Sequence, residues 1–170
     1  VVSRAKELGY TPSSRTASQA SFDLTVASPS IGGQTPSSLT INRGHEFTTV
    51  FDGTSYTFIC LDNQTITPNG GTFTFQNLDV YQGKLTSDIY RYDNQISNQR
   101  FACLNTNIDT STIKINITSN NTVTAWSKAG DLTGINSNST VYYLQENDEG
   151  LFEVYFGDGI IGASPKDGDQ

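Results

Sequence analysis

Methionine is absent from the 170 residues, and histidine and tryptophan occur once each. Charge is scarce too: Asp, Glu, Lys and Arg make up 16% of the chain, against about 25% in an average soluble protein. Only two cysteines are present, Cys60 and Cys103. That is too few for a disulfide-dense secreted scaffold, and their separation is too wide for paired zinc ligands. They read as buried free thiols, with a single disulfide as the alternative. No apolar run approaches the ~20 residues that a membrane-spanning helix needs. The N-terminus lacks both an initiator methionine and the basic-then-apolar pattern of a signal peptide, as expected of a piece cut from a longer protein.

Positive charge is the other shortage, since 10 basic residues face 17 acidic ones for a net charge of −7. The imbalance is uneven. Arg4, Lys6 and Arg15 against Glu7 give residues 1–22 a charge of +2, leaving seven basic and sixteen acidic residues, −9, for the remainder. An acidic body of this kind repels phosphate backbones, which argues against nucleic-acid binding. What fills the chain instead is uncharged Ser, Thr, Asn and Gln, with 11% aromatics and 15 glycines. Disorder combines few aromatics with many charges. A composition rich in Thr and aromatics points to β-structure.

Residues 1–8 read as the end of a helix stopped by Gly9 and Pro12. From Phe22 the apolar period becomes two. Phe22, Leu24 and Val26 alternate with polar partners, as do Leu39 with Ile41, Phe73 with Phe75, and Ile113, Ile115 and Ile117. Leu78 and Val80 continue the strand begun at Phe73. Asp52-Gly53 between two alternating runs is a strong hairpin signal, because both residues accept positive φ. Ser119–Thr122 can turn the chain into Val123–Trp126, and a last hairpin pairs Val141–Leu144 with Leu151–Phe156. The expected fold is a mainly antiparallel β-sandwich-like domain over 22–170, with a helix end and linker over 1–21.

Catalytic signals are weak. His45, in a Gly-His-Glu corner, reads as an exposed turn residue with no nucleophile elbow to serve. Glu46, Glu146, Glu149 and Glu153 could each supply a glycosidase carboxylate, but spacing selects no pair. Asp158, Asp167 and Asp169 lack the order of a calcium loop. Gly157-Asp158-Gly159-Ile160-Ile161-Gly162 matches the dinucleotide fingerprint in letters only, since no helix is expected after it. Trp126 with Tyr142, Tyr143 and Tyr155 could form a sugar-stacking platform, although a strand-end Trp more often lies in the core. Asn63, Asn116, Asn120 and Asn138 begin glycosylation sequons, which an Asn/Ser/Thr-rich chain also produces by chance. No cofactor or metal is called for.

The run Val141–Leu144, a short acidic turn, then Phe152-Glu-Val-Tyr-Phe156-Gly157-Asp158-Gly159-Ile-Ile-Gly162 resembles the baseplate J-like family, and within it the large, dimerising inner-ring wedge subunit of contractile-tailed bacteriophages. Leu8-Gly9-Tyr10-Thr11-Pro12, Leu39–Gly44 with Phe47, and Gln99–Phe101 through Asn107–Thr112 are similar to the family's segments in the same order. Cys103-Leu104 departs from it, where a Pro is expected.

The resemblance implies a non-enzymatic virion protein of the tail baseplate, assembled in the host cytoplasm. Its implied partners are other wedge proteins and another copy of itself, with neither nucleic acid nor membrane. Phe156, Gly157, Asp158, Gly159 and Gly162 would form a structural turn, with Asp158-Gly159 bending the chain between two strands and its apolar flank buried. The link from Gly9 to Ser18 is the candidate hinge for rearrangement on tail contraction. The competing reading is a carbohydrate-binding β-sandwich of a tail fibre or adhesin, with a β-fold glycosidase third.

Overall fold

The computed structural model describes residues 13–28, 34–130 and 133–170. The expected helix end at 1–8 and residues 9–12 of the expected hinge lie outside them. The described residues are mainly β and form two compact units, one of residues 17–86 and one of 13–16 with 87–170.

In the first unit, β1 (Gln19–Ala27), β3 (Glu46–Phe51), β4 (Thr54–Ile59) and β6 (Thr72–Gln82) form a sheet in the order β1-β6-β4-β3, entirely antiparallel. β2 (Leu39–Ile41) and β5 (Gln64–Ile66) make a separate short ribbon. Asp52 and Gly53 take φ of 47° and 72°, the two left-handed residues that a two-residue hairpin requires. The core is supplied mostly by β6, where Phe73, Phe75, Leu78 and Val80 are 0–2% exposed. Their spacing breaks parity between 75 and 78, and strict alternation would turn one pair out to solvent. The strand solves this with a bulge. Phe22 pairs with Leu78 but Leu24 pairs with Phe75, so Asp23 faces two residues. The extra residue, Asn77, sits at φ 50° and donates its N–H to Asp23 Oδ1 at 2.8 Å. Ile41, Cys60 and the partly buried Leu24, Phe47, Phe58 and Ile66 complete this core. Phe22 meets Phe47 edge-on with ring centres 5.4 Å apart, so the sheet curls.

In the second unit, β7 (Phe101–Cys103), β8 (Ile115–Ser119), β9 (Thr122–Lys128), β10 (Val141–Glu146) and β11 (Phe152–Phe156) form a sheet in the order β7-β11-β10-β9-β8. The two expected hairpins are present. β8 and β9 turn through Asn120 and Asn121 at φ 47° and 62°, and β10 pairs antiparallel with β11. The mainly antiparallel pattern has one exception: β9 and β10 run parallel, Val141 opposite Ser127 and Tyr142 opposite Lys128. A parallel pair needs a crossover of about a dozen residues, which the chain between Lys128 and Val141 provides. Phe101, Ile117, Trp126, Tyr142 and Val154 are the buried core.

Both outer edges of this sheet are occupied. The Tyr90 hydroxyl donates to the Ala102 carbonyl of β7 at 2.6 Å. On β8, Thr118 N–H donates to Gln170 O (2.6 Å) and Gln170 N–H to Thr118 O (3.2 Å). Residues 13–16 belong to this unit through Ser14, whose hydroxyl accepts the Thr110 N–H at 3.0 Å.

Candidate functional site

Residues 156–163 form a clamp rather than a simple bend. Asp158 Oδ1 accepts the N–H groups of Ile160 (2.9 Å) and Ile161 (3.2 Å), an Asx turn. Those two bonds stabilise the anionic form and hold the Asp158 carboxyl below the usual carboxylate range. Gly159 N–H donates to Gly162 O at 3.0 Å, closing the loop. Its far side is anchored by Gly162 N–H on Asn136 O (3.2 Å), Ala163 N–H on Ser139 O (2.9 Å) and the Tyr143 hydroxyl on Ile161 O (3.3 Å). Gly157 is the tightest point. A Cβ placed there would lie 2.5 Å from the carbonyl carbon of Gly162, and closer still to the oxygens of Ile161 and Gly162. Backbone approach this close admits only hydrogen at that position.

Two expectations for this motif are overturned. No strand follows Asp158-Gly159 within residues 159–170; the chain bends over 159–162 and continues irregularly, with a turn at 167–168. The apolar flank is not buried either, with Ile160 74% and Ile161 52% exposed. The reason is geometric: both backbone N–H groups are spent on the Asp158 side chain, which leaves no strand ladder and turns the side chains outward. Phe156 and Gly162 do lie in or against the core.

The aromatic residues separate by strand parity. Trp126 and Tyr142 are 9% and 3% exposed. The indole meets Phe156 edge-on at 5.1 Å, and the Tyr142 hydroxyl donates to Ile113 O at 3.3 Å. Tyr143 and Tyr155 are directly paired, point to the opposite face and stack at 5.1 Å, with the Arg100 guanidinium 4.5 Å above Tyr155. The proposed four-residue sugar platform is therefore never assembled. An open depression of about 280 Å³ where β8 parts from β9 is lined by Ile113, Ile115, Trp126 and Tyr142, with Lys114 and Lys128 among its other walls.

The remaining candidates stay apart. His45 is exposed, with its ring 5.0 Å from Phe47. Cys60 and Cys103 are free thiols. Burial pushes both up, and for Cys103 the Asp88 carboxylate adds to it. Glu153 accepts from Asn147 Nδ2 at 2.9 Å and is half-buried rather than facing open solvent. Asp169 is 9% exposed and accepts the Lys166 N–H at 2.8 Å. Among the described residues no three His, Cys, Asp or Glu side chains come together as a metal site, and no helix is long and apolar enough to cross a membrane.

Sequence reading missed Asn136, Ser139 and Asn147. The side chain of Asn147 accepts from the N–H groups of Glu149 and Leu151, and Asn at a turn was the only available signal. Asp109 plays a comparable part in the Asn-Ile-Asp-Thr-Ser-Thr run, where its Oδ1 caps the 3₁₀ turn Thr110–Thr112 through Ser111.

Comparison with known proteins places this unit. Residues 85–169 match the family described as the third domain of bacteriophage baseplate wedge protein gp6. Over 171 aligned residues the chain is 26% identical to baseplate wedge protein gp6 of Enterobacteria phage T4, covering 99% of this chain and 24% of that protein. It thus spans about a quarter of the relative's length.

Proposed function

Because the chain belongs to the family of the gp6 third domain of bacteriophage baseplate wedge proteins, we propose that it is a structural part of a phage tail baseplate, holding neighbouring wedge proteins in place without catalysis. The observation that carries this reading is the match over 85–169, the segment that holds the β7–β11 sheet and the Gly157–Gly162 clamp. The clamp suits such a role, since it fixes an exposed Ile160-Ile161 pair on a backbone tied down at both ends. On this reading the protein resides in the virion baseplate and is assembled in the host cytoplasm. It contacts other wedge components and a further copy of itself, and binds neither nucleic acid nor membrane. The finer likeness to the baseplate J-like fold, the division into a 1–21 linker and a 22–170 core, and a rearrangement on contraction through the 9–18 link are parts of the same proposal.

The carbohydrate-binding alternative loses its main support with Trp126 and Tyr142 in the core. The test is removal of the full-length protein from the phage by a nonsense mutation. Expected are particles with defective or missing baseplates, rescued by the wild-type protein in trans. Normal baseplates and normal contraction without it would overturn the proposal.

A further inference from the structure

Among the four edges of the two larger sheets, that of β3 differs. β7 and β8 are capped by Tyr90 and Gln170, and β1 runs beside the bulge at Asn77, a device that twists an edge. Among the described residues nothing pairs with the outer side of β3. The hairpin register says which groups are left over. With Asp52-Gly53 as a two-residue turn, Phe51–Thr54, Thr49–Tyr56 and Phe47–Phe58 are the hydrogen-bonded pairs. Gly83 N–H bonding to Thr57 O fixes the same parity, since Thr57 then points toward β6. Glu46, Thr48 and Val50 therefore present their N–H and C=O groups outward.

The usual guards are missing. Natural edges carry Lys, Pro or bulges against pairing with foreign strands, and residues 45–60 contain no Lys, Arg or Pro. The tip adds apolar surface, with Val50 70% and Phe51 74% exposed. β4 pairs with β6 only at Phe58 and Ile59, so the rest of the hairpin projects as a two-stranded arm, and such a ribbon is marginal in water unless it packs on something.

We infer that the β3 edge is a docking strand, completed by an extended segment of a different baseplate protein added alongside Glu46–Phe51. This rests on the reading of the chain as an assembly protein. Charge selects the occupant. Glu46 and Asp52 bracket the edge with no basic residue between, and the chain carries −7 overall, so a second copy would bring like charge to both ends. The fitting partner is a β-branched, non-acidic strand with a basic side chain near each end, and a small apolar recess for Phe51. Backbone bonds would supply affinity and the alternate side chains the choice of partner.

Hydrogen exchange on the full-length protein, free and within purified baseplates, tests this. Peptides covering 46–51 are expected to exchange at least tenfold more slowly in the baseplate. Thr48→Pro removes an N–H that the hairpin does not use and is tolerated on an open edge. Val50→Lys adds the missing guard at an exposed position, so it remains informative if the first variant misfolds. Each is expected to lower incorporation at least tenfold with an unchanged circular-dichroism melt. A photo-cross-linker at position 48 should capture another baseplate protein. Capture of a second copy, unchanged exchange over 46–51 in intact baseplates, or normal incorporation of both variants would overturn the inference while leaving the assembly role standing. Absence of the wild-type protein from baseplates would overturn both, and is read separately.

Discussion

Replacing Gly157 with Ala puts the clamp under a defined load. The added Cβ would fall 2.5 Å from the Gly162 carbonyl carbon, inside the 3.0 Å that real Cβ contacts respect, so the backbone at 161–162 must retreat by 0.5 Å or more. Overpacking of this kind costs about 1–3 kcal/mol. The retreat also stretches the bonds from Gly162 to Asn136 and from Tyr143 to Ile161, each worth about 1 kcal/mol. Reduced freedom of the unfolded chain returns about 0.4–1 kcal/mol. The net expectation is a loss of about 2–4 kcal/mol. For a unit of this size, that corresponds to a fall of roughly 8–32 °C in Tm.

Trp126 is the only tryptophan and touches Phe156, the residue before Gly157, so its emission during a thermal melt follows this unit. Gly159→Ala is the matched control. Its φ is 87°, but a Cβ there meets nothing within 4 Å, which leaves a net cost of about 1 kcal/mol after the same entropy gain. A fall below about 3 °C for Gly157→Ala, or a larger fall for Gly159→Ala, would refute the close-approach account.

Three further outcomes are expected. Leu78→Ala, at a fully buried site past the bulge, should cost about 2–5 kcal/mol in a urea titration followed by circular dichroism, whereas Val50→Ala should stay within about 0.5 kcal/mol. Asp158 is held below its ordinary carboxyl value of 3.8 in the folded chain. Its contribution is therefore complete above that value and disappears as pH falls through the lower folded one; the Ile160 and Ile161 amide resonances should shift in that acid window and Asp158→Asn should flatten the response. Thiol titration without reductant should count two free thiols in the unfolded chain, with Cys60 slow to react in the native state because it is 1% exposed and its thiol is pushed up.

What sequence could deliver depended on whether a local rule governed the feature. Asp52-Gly53 and the Asn120-Asn121 turn were legible because left-handed residue pairs between alternating strands have one common use. The parallel meeting of β9 and β10 was not, since alternation is the same for either direction and the choice is made by the crossover after Lys128. The break of parity between Phe75 and Leu78 was present in the sequence, and it takes the Asp23–Asn77 hydrogen bond to identify it as a bulge. At Gly157-Asp158-Gly159 the turn could be read from residue type, but not the clamp. That depends on Asn136 and Ser139, remote positions whose role comes only from tertiary placement.

The strand order of the second unit has a consequence for synthesis. β11, the latest in sequence of this sheet's five strands, lies inside it between β7 and β10, and Gln170 closes the far edge. Residues 17–86 are continuous in sequence and need nothing downstream for their own pairings, while the second unit begins at 13–16, before them, and ends after them. On a ribosome, the first unit can therefore form while the second waits, its β7 without a neighbour until residues 152–156 emerge. A chain stopped short of β11 would lose the middle of a sheet rather than a margin, and would expose Phe101 and Tyr142 to whatever strand arrived first.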